Sequence, residues 1–228
     1  MKRVIITWWS EGLWLELSKL FLEKWFEVVC LSRHKPAIDV VHIKTDLTDE
    51  KSIQHAVETL KTSFWEFTYL INCAGVLNIE ALGEIKYQNM ENLIKVNTLA
   101  PIILVSWLLD NIKKSEADIV NIWSTVWFKA YEKQCTYGAS KWAVRGITEN
   151  FQLELKDTKC RVIWFYPGWF QSKIFEKATW IKTDLSAFMD PKELAKFMIQ
   201  ILELPKNMEV SEVIIKRKKY TKVWIKCA

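Results

Sequence analysis

Glycine is scarce in this chain, at 6 of 228 residues, while tryptophan reaches 13; ordinary proteins show the reverse balance. Proline is also sparse, at 5, and no stretch is rich in Pro, Gly or Ser, so neither a flexible linker nor a low-complexity tract is expected. Histidine is limited to His34, His42 and His55, which do not cluster with the five cysteines at 30, 73, 135, 160 and 227. Without metal-ligand spacing among these residues, no metal site is expected, and reduced thiols in a cytoplasmic protein are the natural reading. No apolar run is long enough to cross a bilayer. The run Val4-Ile5-Ile6 behind Met1-Lys-Arg is too short for a signal peptide and reads as a buried strand. A strong charge excess is missing too: the formal net charge is +5. Its clearest local source, Lys216-Arg-Lys-Lys219, reads as a solvated strand end. With no aromatic-interleaved basic surface, neither nucleic acid nor a membrane is an expected partner.

What is present is a core-forming composition, 50% hydrophobic and 26% charged, on a length suited to one domain over residues 1–228. Short apolar, β-branched runs alternate with longer helical patterns. Strands are expected at Val4–Ile6, Glu27–Leu31, Val40–Ile43, Tyr69–Asn72, Asp118–Ile122, Arg161–Tyr166 and Val213–Lys216. Helices are expected at Gly12–Lys24, Asp49–Ser63, Asn89–Ile112, Thr136–Lys156 and Pro191–Leu204, the last with proline in its first turn. Strands that read as continuous apolar runs, alternating with helices, imply right-handed crossovers and a mostly parallel sheet covered on both faces. The fold class is therefore α/β: a doubly wound sheet in three αβα layers. Residues 169–189 lack clear periodicity and are expected to form a flap over the C-terminal strand edge, where such sheets bind ligands.

The sequence concentrates its chemistry in Thr136-Tyr-Gly-Ala-Ser-Lys141. A tyrosine one helical turn before a lysine shares its face, and an ammonium favours the phenolate form of a neighbouring tyrosine. A Tyr-x-x-x-Lys spacing alone is weak, but here it has company. Ser124 follows the strand Ile119-Val-Asn-Ile122, thirteen residues before Tyr137. Asn97 sits in Lys95-Val-Asn97, Asn72-Cys-Ala-Gly75 follows the fourth strand, Pro167-Gly168 follows the sixth, and Asp46-Leu47 follows the third. With this ordered set the chain resembles the short-chain dehydrogenase/reductase family along nearly its whole length, and a Rossmann-like sheet is implied.

The resemblance implies a hydride-transfer site that interconverts a carbonyl and an alcohol on a small-molecule substrate. Asn97, Ser124, Tyr137 and Lys141 match the catalytic tetrad. Tyr137 is then the acid/base, Ser124 the donor to the substrate oxygen, Lys141 also a ligand of the nicotinamide ribose, and Asn97 the holder of a water. Further cofactor contacts are implied for Thr7, Ser10, Glu11, Gly12 and Leu13 in the phosphate loop, and for Asp46, Leu47, Asn72, Ala74 and Gly75. Pro167, Gly168 and Phe170 complete the set beside the nicotinamide. Asn72, read for itself, braces the sheet. The family also implies a homodimer or homotetramer packed through the helices after Asn89 and Thr136. At the end of the second strand, Leu31-Ser32-Arg33 carries no acid to grip a ribose 2′-hydroxyl; Ser32 and Arg33 suit a 2′-phosphate, which favours NADP(H) over NAD(H).

The phosphate loop departs from the pattern. Where the family writes Thr-Gly-x-x-x-Gly-x-Gly, this chain has Thr7-Trp-Trp-Ser-Glu-Gly-Leu-Trp14. Glycines there allow a tight turn and close approach to a pyrophosphate, so Trp8 is expected to fill that space and Trp14 to wedge the first helix off the sheet. Trp25 takes the place of a glycine C′ residue after a helix, while Trp127 and Trp169 stand where small residues are usual. One reading is a catalytically silent nucleotide sensor or scaffold on the same fold. The other is a working enzyme whose tryptophans come from a codon that its organism reads as glycine. The intact Ser124, Tyr137 and Lys141 favour the second.

Overall fold

A computed structural model describes residues 2–7, 12–122, 130–182 and 184–218, apart from the side chain of Phe175. Seven strands form one parallel sheet in the order β3-β2-β1-β4-β5-β6-β7. They are β1 (Arg3–Thr7), β2 (Glu27–Ser32), β3 (Val41–Lys44), β4 (Tyr69–Asn72), β5 (Asp118–Ile122), β6 (Val162–Pro167) and β7 (Glu212–Ile215). Every neighbouring pair is parallel. The doubly wound architecture expected from the sequence is thus observed, with strand order reversing between β1 and β4. In such sheets the crevice for a ligand opens at that reversal, outside the carboxyl ends of the strands.

Alternation along the strands sorts the core into two layers. Ile5, Val29, Leu31, Leu70 and Ile119 face one side. There they meet α2 (Glu50–Ser63), α4 (Ala100–Trp107) and α5 (Leu109–Lys114). Val4, Ile6, Val28, Ile71 and Val120 face the other, under α1 (Leu13–Glu23) and α8 (Pro191–Leu202). The five inner strands β1, β2, β4, β5 and β6 are buried on both faces, which explains their unbroken apolar runs, while the edge strands β3 and β7 are partly exposed. α2 begins at an N-cap, where the Asp49 carboxylate accepts from Ser52 N at 3.1 Å. Asp190 does the same for α8, accepting from Lys192 N at 2.8 Å with Pro191 in the first turn.

Several local features differ from the expectation. The single helix expected over Asn89–Ile112 is three segments, because α3 (Tyr87–Ile94) passes through a π turn at Lys95–Leu99 into α4. The chain then breaks at Leu108 before α5. The flap carries a short helix, α7 (Ile174–Thr179). Trp14 is buried, 5% exposed, its side chain part of the core cluster that α1, the sheet and α8 share. α6 (Cys135–Leu155) starts one residue before the expected helix and ends one before its expected end.

At the base of the sheet, opposite the ligand edge, Asp118 is fully buried between two cations. Its carboxylate accepts from Arg161 Nη2 at 2.7 Å and from Lys206. Arg161 also donates to the carbonyls of Leu202 and Leu204. This cluster ties β5 and β6 to the end of α8. No helix among the described residues is long and apolar enough to cross a membrane.

Candidate active site

The carboxyl ends of β1, β4, β5 and β6 and the first turns of α6 bring the sequence-selected residues together. Tyr137 and Lys141 lie on one face of α6, 7% and 6% exposed, with Lys141 Nζ 5.7 Å from the centre of the Tyr137 ring. Burial pulls the Lys141 ammonium down from 10.5 to about 8, partly offset by the neighbouring Cys73 sulfur. Within the turn between them, the Ser140 hydroxyl donates to the Tyr137 carbonyl at 2.8 Å.

Asn97 reaches the site because it sits in the π turn. There Ala100 N donates to the Lys95 carbonyl, five residues back, and a π turn re-aims the side chains it contains. The Asn97 amide is held on both ends. Oδ1 accepts from Val76 N at 2.8 Å, and Nδ2 donates to the Val76 carbonyl at 2.9 Å and to Ser140 Oγ at 3.1 Å. Gly75 lies at the centre. A Cβ placed on it would stand 3.6 Å from Asn97 Oδ1 and 3.8 Å from Lys141 Nζ. The amide and the ammonium therefore converge on one point beside the strand-end loop.

That loop is fixed from β1. Thr7 Oγ1 accepts from Cys73 N and Ala74 N, each at 3.1 Å, which sets the backbone leading to Gly75. Asn72 braces the sheet, as its place in the strand suggests: its Nδ2 donates to Asn121 Oδ1 at 2.8 Å, and Asn121 donates on to Thr148 Oγ1. The sequence reading missed Ser140, Asn121 and Thr148. Their only signal was polarity at otherwise apolar positions of a strand and a helix.

The residues expected to meet a cofactor divide. Gly12 heads α1 with φ +112, a conformation that favours glycine. The place of its missing Cβ lies 3.6 Å from Phe170 and 3.5 Å from Ser172 Cβ, so the end of the phosphate loop meets the segment after Pro167-Gly168. Gly168 is packed close, with its N–H donating to the Ile215 carbonyl at 2.7 Å. Ser32 is buried at the end of β2, its hydroxyl donating to the His34 carbonyl at 2.8 Å, and Arg33 beside it is exposed. The Asp46 carboxylate accepts from Thr48 N and Oγ1 in a tight turn. The side chains of Leu13 and Leu47 point into the core, leaving their backbone groups for any ligand. Ser10, Glu11, Ser124, Trp8 and Trp127 lie outside the described residues. Among those described, no group of His, Cys, Asp and Glu could hold a metal ion.

A cleft of about 220 Å³ is walled by Leu77, Leu93, Ile174 and Ala178, with Asn92 and Lys177 among its polar lining. Leu77 and Leu93 pack in one cluster with Tyr137, which brings this cleft next to the tyrosine.

A parallel doubly wound sheet with a buried Tyr–Lys pair at its carboxyl edge defines a class of nucleotide-dependent oxidoreductase folds. The short chain dehydrogenase family profile matches residues 2–181, and the chain belongs to that family. It is 28% identical over 210 residues to carbonyl reductase family member 4 of Danio rerio, covering 86% of this chain and 89% of that one. An oxidoreductase of Staphylococcus saprophyticus is 29% identical over 172 residues, covering 75% of this chain and 72% of that protein. In fold, the chain matches an alcohol dehydrogenase from the archaeon Thermococcus sibiricus complexed with 5-hydroxy-NADP. The TM-score is 0.84 at 20% identity, over 96% of this chain and all of that one (100%). It matches a 4-hydroxyisoleucine dehydrogenase complexed with NADH at TM-score 0.83 and 23% identity, over 95% and 98% of the two chains.

Proposed function

We propose that this protein interconverts a carbonyl and its alcohol with NADP(H), using Tyr137 as acid and base. The observation that carries the reading is the convergence of Asn97 Oδ1 and Lys141 Nζ on Gly75, with the Tyr137 ring beside the same ammonium. The residues fit a nicotinamide nucleotide on that side: Gly75 leaves room beside the lysine, and Gly12 has the backbone of a tight phosphate turn. When bound, the nicotinamide supplies or takes the hydride.

The rest of the chemistry belongs to the chain. In reduction, Tyr137 gives its phenolic proton to the carbonyl oxygen, and in oxidation it takes the alcohol proton back. The Lys141 ammonium stabilises the phenolate between turnovers and would bind the ribose hydroxyls. Asn97, clamped by Val76 and Ser140, positions a water through which the lysine exchanges protons with solvent. Ser124 donates to the substrate oxygen as charge develops on it. Arg33 holds the 2′-phosphate, and Ser32 beside it, its hydroxyl kept by the His34 carbonyl, fixes the strand end that presents the arginine. Asp46, Leu47, Ala74, Pro167 and Phe170 line the nucleotide. The apolar walls of the cleft take the body of the substrate, with Lys177 at hand for an acidic group. The enzyme is read as a cytoplasmic homodimer or homotetramer.

The test is NADPH oxidation by the native protein over a panel of aldehydes and ketones. Replacing Tyr137 with Phe keeps the ring and removes the proton, and turnover should fall by about 10²- to 10⁴-fold, the range for a positioned acid/base. Unchanged turnover in Tyr137→Phe would overturn the assignment.

A further inference from the structure

Two tryptophans occupy backbone conformations built for glycine. Trp25 has φ 63 and follows the end of α1. Around it, Phe26 N donates to the Phe21 carbonyl at 3.0 Å and Trp25 N to the Leu22 carbonyl at 3.0 Å. This nested pair of bonds is a Schellman motif with Trp25 at C′, and the apolar contact that accompanies such motifs is present, Phe26 against Phe21 at 5.1 Å between ring centres. Trp180 has φ 59 and ends α7, its N–H donating to the Glu176 carbonyl at 2.7 Å. Among the described residues only four non-glycines have positive φ, and these tryptophans are two of them; Glu116 and Lys133 are the others.

Neither indole has a compensating burial. Trp25 is 89% exposed and Trp180 92% exposed, so the largest apolar side chain stands in water on the backbone least suited to a Cβ. Stabilisation by packing does not explain them, and the bonds that close both helix ends are made by backbone alone. Both positions are what glycine does best.

We infer that the codon written as tryptophan at positions 25 and 180 is decoded as glycine in the organism that makes this protein. The same inference extends to Trp8 and Trp14, which stand where the family pattern of the loop has glycine. A UGA triplet, which genetic codes assign to different meanings, accounts for the substitution without any change in the gene. For positions 8 and 14 the inference rests on the nucleotide-binding reading of the loop; for 25 and 180 it rests on helix-end geometry alone. Glycine at 8 and 14 restores the Thr-Gly-x-x-x-Gly-x-Gly spacing, so the protein made in its own cell carries the whole phosphate-loop pattern.

The experiment is peptide mass spectrometry of the protein purified from its own organism. Trypsin releases residues 25–33, 178–182 and 4–19 as separate peptides, since Lys24, Arg33, Lys177, Lys182, Arg3 and Lys19 bound them. Each is expected at the mass for glycine at the named position, independent of any catalytic assay. An indole retained in peptide 25–33 or 178–182 overturns the inference; an indole retained at 8 or 14 alone overturns its extension to the loop and leaves the oxidoreductase reading to its own test. In recombinant protein made with tryptophan, Trp25→Gly and Trp180→Gly should each raise the thermal midpoint by about 2–4 °C. Alanine, which keeps the Cβ, should not. A midpoint unmoved by glycine, or raised equally by alanine, refutes the strain on which the inference stands.

Discussion

Replacing Lys141 with Met should make the protein more stable while removing its activity. Lys141 is 6% exposed, and burial lowers it from 10.5 to about 8. At about 1.4 kcal/mol for each pH unit, holding the charge in the folded protein costs roughly 3 kcal/mol at neutral pH. Methionine is similar in length, needs no hydration and packs adaptably. Its gain should be about 1–3 kcal/mol, the lower figure allowing for imperfect fit beside Tyr137 and Gly75.

The pH dependence fixes the cause. An unfolded lysine keeps its proton to 10.5, whereas the folded one releases it near 8. Between those values the unfolded chain binds more protons, so wild-type stability rises with pH. The advantage of Lys141→Met is therefore full below pH 8 and closes by pH 10.5. Urea unfolding without nucleotide reads it directly: a gain of about 2 kcal/mol moves the midpoint by about 1 M for a slope near 2 kcal/mol/M. A variant no more stable than wild type at neutral pH, or an advantage that does not change with pH, would refute the buried-ammonium account. A gain in stability joined to a loss of turnover is the signature of a residue kept for chemistry.

Two further outcomes follow from other parts of the molecule. Asp118→Asn leaves Arg161 and Lys206 without their shared carboxylate in a buried setting, and should lower unfolding stability by about 3 kcal/mol, near the low end for a broken buried pair; a loss under about 1 kcal/mol in chemical denaturation would contradict the burial. Arg33→Ala should weaken NADPH binding by about 10- to 100-fold and leave NADH nearly unchanged, in line with about 1.5–3 kcal/mol for a charged hydrogen bond. Equal effects on the two nucleotides, measured by fluorescence titration, would count against the 2′-phosphate assignment.

Much of the fold was legible because two-sided burial writes strands as unbroken apolar runs, and all seven were placed within a residue or two. The pair Tyr137 and Lys141 was legible because helix periodicity puts residues four apart on one face. The path taken by residues 89–112 was less so: Leu-Ile-Leu continuity gives no sign that one hydrogen bond shifts at Lys95 or that the chain turns at Leu108. α7 has only six residues, too few for a period to show. Ser140 was hidden because a serine inside a helix is commonly exposed, and its function as a clamp on Asn97 exists only after two helices have packed. At Trp14 the sequence showed a bulky residue where a small one is useful, but not that the core shared by α1, the sheet and α8 holds the indole.

The π turn at Lys95–Leu99 has a further consequence for how this chain can change. One additional residue in that turn offsets the helix frame, so that α3 and α4 present their apolar stripes to the core in different phases, about 100° apart. Deleting a single residue there would mend the backbone ladder and yield a more regular helix. It would also swing either Asn97 out of the site or Leu104 out of the core. The segment is thus locked against the length drift that loops tolerate, and a one-residue indel in this helix is as damaging as one in the middle of a strand.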